Sequence, residues 1–254
     1  MPRRDFESGL GVDHGAGLAL AAILAAALTG AVRAPAAWVG DWLQAQGRLR
    51  LIDARGTIWS GSAMLGLSDG RQVTLLPGRL SWKIGFAAIA SGRVMADVSH
   101  PALAAPLAVS LAAKSIALKA GQAELPAALL AALGAPFNTV RPGGDLDLRW
   151  TDVELTGGAL AGNLQIDWRE AQSALSTVAP VGSYRLQVTG EGDTARLQLE
   201  TLRGPLRLQG SGTVKGGRVS FKGLASADPD MRPALIGLIS VLGPRVGDQA
   251  VLTI

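Results

Sequence analysis

The sequence predicts a mainly β protein: an N-terminal transmembrane helix followed by an elongated, curved antiparallel β-sheet domain with two short helices. Three observations carry this. Apolar and polar residues alternate with period two in run after run beyond Gly47, as strands with one buried face require. The 254 residues include 33 Gly and 13 Pro, which punctuate many short strands, and only 4% are aromatic, so small side chains fill much of the interior. The one long apolar stretch without charge, Gly15 to Val32, lies near the start of the chain.

Residues 1–14 read as a short cytoplasmic N-terminus and 15–33 as a transmembrane signal anchor. A span needs about 20 apolar residues, and this one is near the lower limit and rich in Ala and Gly. Arg3 and Arg4 precede it, Arg33 follows it, and Trp38 and Trp42 sit where an interfacial belt falls. A cleaved signal peptide stays open, because Ala25-Ala26-Ala27 and Thr29-Gly30-Ala31 offer small residues at the required spacing. A buried helix of a soluble protein is the third reading, and the position of the segment argues against it. Residues 34–47 read as a juxtamembrane helix, with Trp38, Val39, Trp42 and Leu43 on one side and Gly47 ending it.

Residues 48–254 read as one antiparallel β domain on the periplasmic side. Arg48 to Ile52 leads into a strand through Arg55-Gly56-Thr57-Ile58-Trp59-Ser60-Gly61, running on to Leu67. Leu76-Pro77-Gly78-Arg79-Leu80-Ser81-Trp82 is a second Trp-bearing strand, continuing to Phe86. Strands are expected at Arg93 to Val98, Leu107 to Ala112 and Ser115 to Lys119, then a short helix from Pro126 to Leu133 with Gly134 at its end. Gly144 to Trp150 and Gly162 to Trp168 share one grammar, apolar residues on one face and charged or amide residues on the other, and suggest an internal repeat. Strands at Ser183 to Thr189, Ala195 to Leu202, Pro205 to Val214 and Arg218 to Ala225 form a meander of hairpins. A helix from Met231 to Leu242, stopped by Gly243-Pro244, and a strand from Gln249 to Ile254 close the chain.

Chemistry is sparse. No Cys is present, which excludes disulfides and thiolate metal sites. The only histidines are His14 and His100, so a histidine metal cluster is impossible and a catalytic triad would rest on His100 alone. Asp145, Asp147, Asp152 and Glu154 alternate with Leu, Val and Trp, the pattern of a solvated strand face rather than paired catalytic carboxylates. Gly143-Gly144 and Gly216-Gly217 lack the Lys and following helix of a phosphate loop. The formal charge is only +4, with no basic stripe interleaved with aromatics, so nucleic acid is not an expected partner. No enzyme activity, cofactor or metal is expected. Trp59, Trp82, Trp150 and Trp168 fall on the apolar parity of their strands or at strand ends, where core packing is the default and lining a hydrophobic groove the alternative.

Several blocks in order resemble the type II secretion system protein N family: Gly56 to Gly61, Leu76 to Trp82, Gly143 to Trp150, Trp168 to Ser176 with Pro180 to Tyr184, and Gly204-Pro205 to Gly210. The signature positions are Gly56, Trp59, Gly61, Pro77, Gly78, Trp82, Trp150, Trp168, Gly204 and Pro205. The resemblance implies a non-catalytic, single-pass accessory component of the inner membrane. Its N-terminus is cytoplasmic, and its periplasmic domain supports protein export across the Gram-negative outer membrane by contacting other secretion components. It brings no catalytic residues. The repeated amphipathic strands also resemble the AsmA-like group of membrane-anchored proteins, which implies instead a hydrophobic β trough that binds or transfers lipid.

Overall fold

A computed structural model describes residues 34–37, 41, 47, 49–68, 70, 72–85 and 92–253. They form one open, wholly antiparallel sheet of sixteen strands. In chain order these are β1 Leu49–Gly56, β2 Ser60–Ser68, β3 Val73–Gly85, β4 Arg93–Ser99, β5 Leu107–Ala112, β6 Ser115–Leu118 and β7 Gly121–Pro126. After two helical turns come β8 Pro142–Trp150, β9 Val153–Thr156, β10 Ala159–Ser173, β11 Gly182–Gly192, β12 Thr194–Arg203, β13 Leu206–Lys215 and β14 Arg218–Ala227. The hairpin β15 Arg245–Val246 and β16 Gln249–Thr253 ends the order, with β16 against β14.

The topology is a meander with one complication. β10 is long enough to pair on a single side with two strands, β9 near its start and β8 over the rest. β6 and β7 in turn pair with β9 and β8. Thus β6–β7 and β8–β9 are each one long strand broken in the middle, at Lys119-Ala120 and Thr151-Asp152. Gly162 explains the second break: it stands at φ +107°, and a Cβ there would collide with the carbonyl of Asp152.

Helices pack at the end of the sheet opposite the β1–β2 turn. A 3-10 helix, Ala127–Leu133, begins after Pro126 and is closed by Gly134 at φ +86°, and it touches β2, β3 and β8. A four-residue helix, α1 Phe137–Val140, follows it. α2, Arg232–Leu242, preceded by a 3-10 turn at Pro229–Met231, packs on β14 and β16. Its Leu235, Leu238 and Ile239 join Tyr184, Leu206, Ala225, Ala227 and Ala250 in the larger core cluster. A smaller cluster of Ala36, Ala63 and Trp82 lies at the other side of the molecule.

The mainly β reading, the hairpin meander and the two principal helical segments agree with this architecture. Other expectations are corrected. The stretch Arg55 to Gly61 is not one strand: β1 ends at Gly56, which has φ +90°, and Thr57-Ile58-Trp59 form the turn into β2. Alternation alone did not reveal that turn, because Thr and Ile carry strand propensity into it. β7, β9, β15 and α1 were not anticipated; each is at most six residues long, too short to establish a period. No helix among the described residues is long and apolar enough to cross a membrane. The expected span at 15–33 lies outside the described residues, as does most of the helix expected over 34–47. Of the latter, Ala34 and Ala36 bond to the β1–β2 turn: the N–H of Ala36 donates to Gly56 O at 3.1 Å and that of Ile58 to Ala34 O at 2.9 Å.

Candidate functional site

Alternation and register together build a single apolar face. Directly opposed residues of an antiparallel pair point to the same side. Following partners across the ladder, Ile84, Ala96, Val109, Leu118 and Val153 form one row from β3 to β9. A second row runs Val94, Leu111, Ile116, Leu155 and Leu160. A third runs Leu148, Ile166, Leu186 and Leu199 from β8 to β12. β10 keeps its parity from Leu160 to Trp168, so the rows share one face that no second sheet covers among the described residues. α2 covers it over the C-terminal strands. Leu111, Ile116 and Leu155, by contrast, are 37%, 44% and 41% exposed.

The signature tryptophans brace this sheet at its joints. Each of three indoles lies on the apolar face and donates its N–H to a backbone carbonyl beside a turn or strand end. Trp82 Nε1 reaches Ile58 O at 3.0 Å, Trp150 Nε1 reaches Lys119 O at 2.8 Å and Trp168 Nε1 reaches Gly143 O at 2.9 Å. Two of them also lie over a glycine of the neighbouring strand. A Cβ on Gly61 would fall 2.5 Å from the Trp82 ring, and one on Gly121 2.7 Å from the Trp150 ring. Trp168 instead stacks at a tilt on Tyr184, centroids 5.8 Å apart, and the Tyr184 hydroxyl donates to Leu206 O at 3.0 Å. Burial raises the ionisation of that phenol well above its ordinary value.

The ten signature residues do not converge on one pocket. Gly56, Trp59, Gly61 and Trp82 gather at the β1–β2 turn, where the carbonyl of Trp59 accepts from the N–H of Ile84 at 2.7 Å. Pro77 and Gly78 mark an irregularity in β3, Gly78 having φ +105°. Trp150 stands at one end of the β8–β10 pairing, and Trp168 lies within it, opposite Leu146 and just before the register shift between Arg169 and Gln172. Gly204 and Pro205 form the β12–β13 turn, where Gly204 at φ +111° sits against Gly182 too closely for any side chain.

The opposite face is polar and internally paired. Asp167, in the centre of β10, accepts from Arg185 Nε at 2.7 Å and Nη2 at 2.8 Å and from Gln165 at 3.0 Å, which holds its carboxyl below the usual carboxylate range. The acidic residues of β8 and β9 are spread along this face. Asp147 pairs with Arg169 at 2.8 Å, Asp152 accepts from Lys119 at 2.7 Å and from the Ala120 N–H at 2.8 Å, and Glu154 accepts from Thr156 at 2.9 Å. The Lys119 contact is the larger reason that Asp152 also titrates low. Asp152 therefore ties the two strand breaks together, a link that the sequence pattern did not reveal because its partner is 33 residues away.

His100 sits between β4 and β5. Its Nδ1 accepts from the Ala102 N–H at 3.0 Å, and a Cβ on Gly78 would lie 3.3 Å from its Nε2. Burial depresses its basicity. Among the described residues no Ser or carboxylate is hydrogen-bonded to it, and no group of His, Asp or Glu is arranged to hold a metal ion.

Among the described residues the fold is an open meander braced by tryptophans, with an apolar face left uncovered except where α2 packs on it. The chain belongs to the family described as type II secretion system (T2SS), protein N, whose model matches residues 47–252. It is thus an accessory component of type II secretion. No curated protein and no solved structure matches it significantly.

Proposed function

We propose that this chain is a non-catalytic component anchored in the inner membrane by residues 15–33, and that its β domain works in the periplasm by docking other secretion components. Membership of the family is the observation that carries the reading. The open sheet supports it: β1 at one end and the β15–β16 hairpin at the other have no strand on their outer sides among the described residues. Unpaired strand edges accept an added strand through backbone hydrogen bonds, so they are natural docking sites. The expected result of photo-crosslinking from Leu49, Leu51 and Asp53 of β1, in secreting cells, is adducts to other secretion components. Adducts equal to those from the β13 position Ser211, inside the sheet, would contradict it.

A second reading, lipid binding along the apolar face, is favoured by one observation: Leu111, Ile116 and Leu155 are opposed, exposed and uncovered. Mass spectrometry of the purified protein tests it. Co-purified phospholipid is the expected result on that reading, and its absence, with no transfer of labelled lipid, contradicts it.

A further inference from the structure

The β1–β2, β5–β6, β9–β10, β11–β12 and β13–β14 turns lie on one rim of the sheet, whereas the β7–β8 connection and the β15–β16 turn lie on the other. Register places the β1–β2 turn, the ends of β3 and β4 and the β5–β6 and β9–β10 turns on the same side. The described chain also reaches this rim from its N-terminal side, since Ala34 and Ala36 bond to Gly56 and Ile58 there. Whatever holds residues 15–33 is therefore tethered to this rim and not to the opposite one.

Two features of the rim fit a charged apolar boundary. The exposed trio Leu111, Ile116 and Leu155 occupies its last residues on the apolar face, beside the small turn residues Ala113, Gly157 and Gly158. Arg93, at the start of β4, and Lys114, in the β5–β6 turn, have no ion-pair partner among the described residues, and the one carboxylate beside the trio, Glu154, points to the polar face, where it accepts from Thr156. Exposed aliphatic side chains flanked by unpaired cations match an anionic bilayer surface, where the chains enter the headgroup boundary and the cations meet phosphate. Exposed aliphatic residues also lie on the opposite rim, Val73 and Leu75 of β3, Leu202 of β12 and Val246 of β15, but the tethered segment does not lead there.

We propose that the rim bearing Arg93, Leu111, Lys114, Ile116 and Leu155 seats on the anionic surface of the membrane, so that the sheet stands on its strand ends with the apolar face opening at the bilayer. This rests on the reading of residues 15–33 as a membrane anchor.

The absence of native cysteine makes the test direct. The full chain carrying Ala113→Cys or Gln72→Cys is labelled with an environment-sensitive fluorophore and reconstituted in vesicles of phosphatidylglycerol and phosphatidylethanolamine containing spin-labelled lipid. A seated rim holds its label within about 10 Å of the acyl boundary. The expected result is strong quenching and a blue shift at position 113, little at position 72, and loss of the difference when Arg93 and Lys114 are both replaced by Glu. Equal quenching at the two positions, or stronger quenching at 72, overturns the proposal. Alkaline extraction of the same vesicles reports on the anchor alone. Release of the chain there counts against the anchor, while the contrast between the two labels at neutral pH still decides the rim.

Discussion

At the scale of single residues, the stability of the sheet rests on aromatic rings laid over glycines. Gly61 does not have a positive φ, yet a Cβ there would stand 2.5 Å from the Trp82 ring and 2.8 and 2.9 Å from the carbonyl oxygens of Arg55 and Thr57. Gly61→Ala is expected to lower stability by about 1–3 kcal/mol through overpacking, measured by equilibrium denaturation; an unchanged midpoint would show that the ring and the turn backbone both yield. His100 gives a pH signature. Its folded value lies below the ordinary 6.5, so the fold favours the neutral ring. Stability is then complete above pH 6.5 and falls as the pH drops below it toward the folded value, because the unfolded chain binds the proton first. The carboxylates held low by Arg or Lys, Asp53, Asp152, Asp167 and Asp193, act in a separate window. Their contribution is present above 3.8 and is lost as pH falls through their lower folded values. A thermal melting series from pH 7.5 to 5 should show a slope that His100→Gln flattens; the same slope in both proteins would assign it elsewhere.

Among the elements, α2 separates packing from propensity. Leu238 is 2% exposed in the core, and Leu238→Ala is expected to cost about 2–5 kcal/mol in denaturant unfolding. Gly237, next to it, has nothing within 4 Å of a Cβ, so Gly237→Ala should stabilise the helix by about 1 kcal/mol. If both substitutions moved stability in the same direction, α2 would not be packed as described. The elements also show what the sequence made legible. β5 was readable to the residue, and β11 to β14 nearly so, because alternation ran for about ten residues in each and Gly-rich turns bounded them, whereas β10 was read only over Gly162 to Trp168 of its full Ala159–Ser173. The β1–β2 turn was not, since Thr57-Ile58-Trp59 continues the alternation and only the φ of Gly56 reveals the reversal. The split partnership of β10 was also hidden, because nothing local distinguishes a strand paired with two partners on one side. The apolar parity of Trp82, Trp150 and Trp168 was legible, although only Trp82 and Trp168 join a core cluster. Their shared habit of donating to a distant carbonyl was not, since it depends on pairings between residues 24 to 31 apart.

For the molecule as a whole, the meander explains how a chain with few aromatics and no cysteine builds a large surface. Each strand pairs mainly with its sequence neighbours, so the sheet grows without crossovers and ends in open edges. One face is closed by charge pairs such as Asp167–Arg185, and the other is capped by helices at one end only. A surface of this kind suits the docking proposed above, and the chain belongs to a type II secretion family. The most direct measurement is secretion itself, in a strain lacking this gene and complemented with the full chain. Loss of the gene is expected to lower the amount of a type II substrate in the medium, or the levels of other secretion components, and the full chain to restore both. Normal secretion and normal component levels without the gene would contradict it.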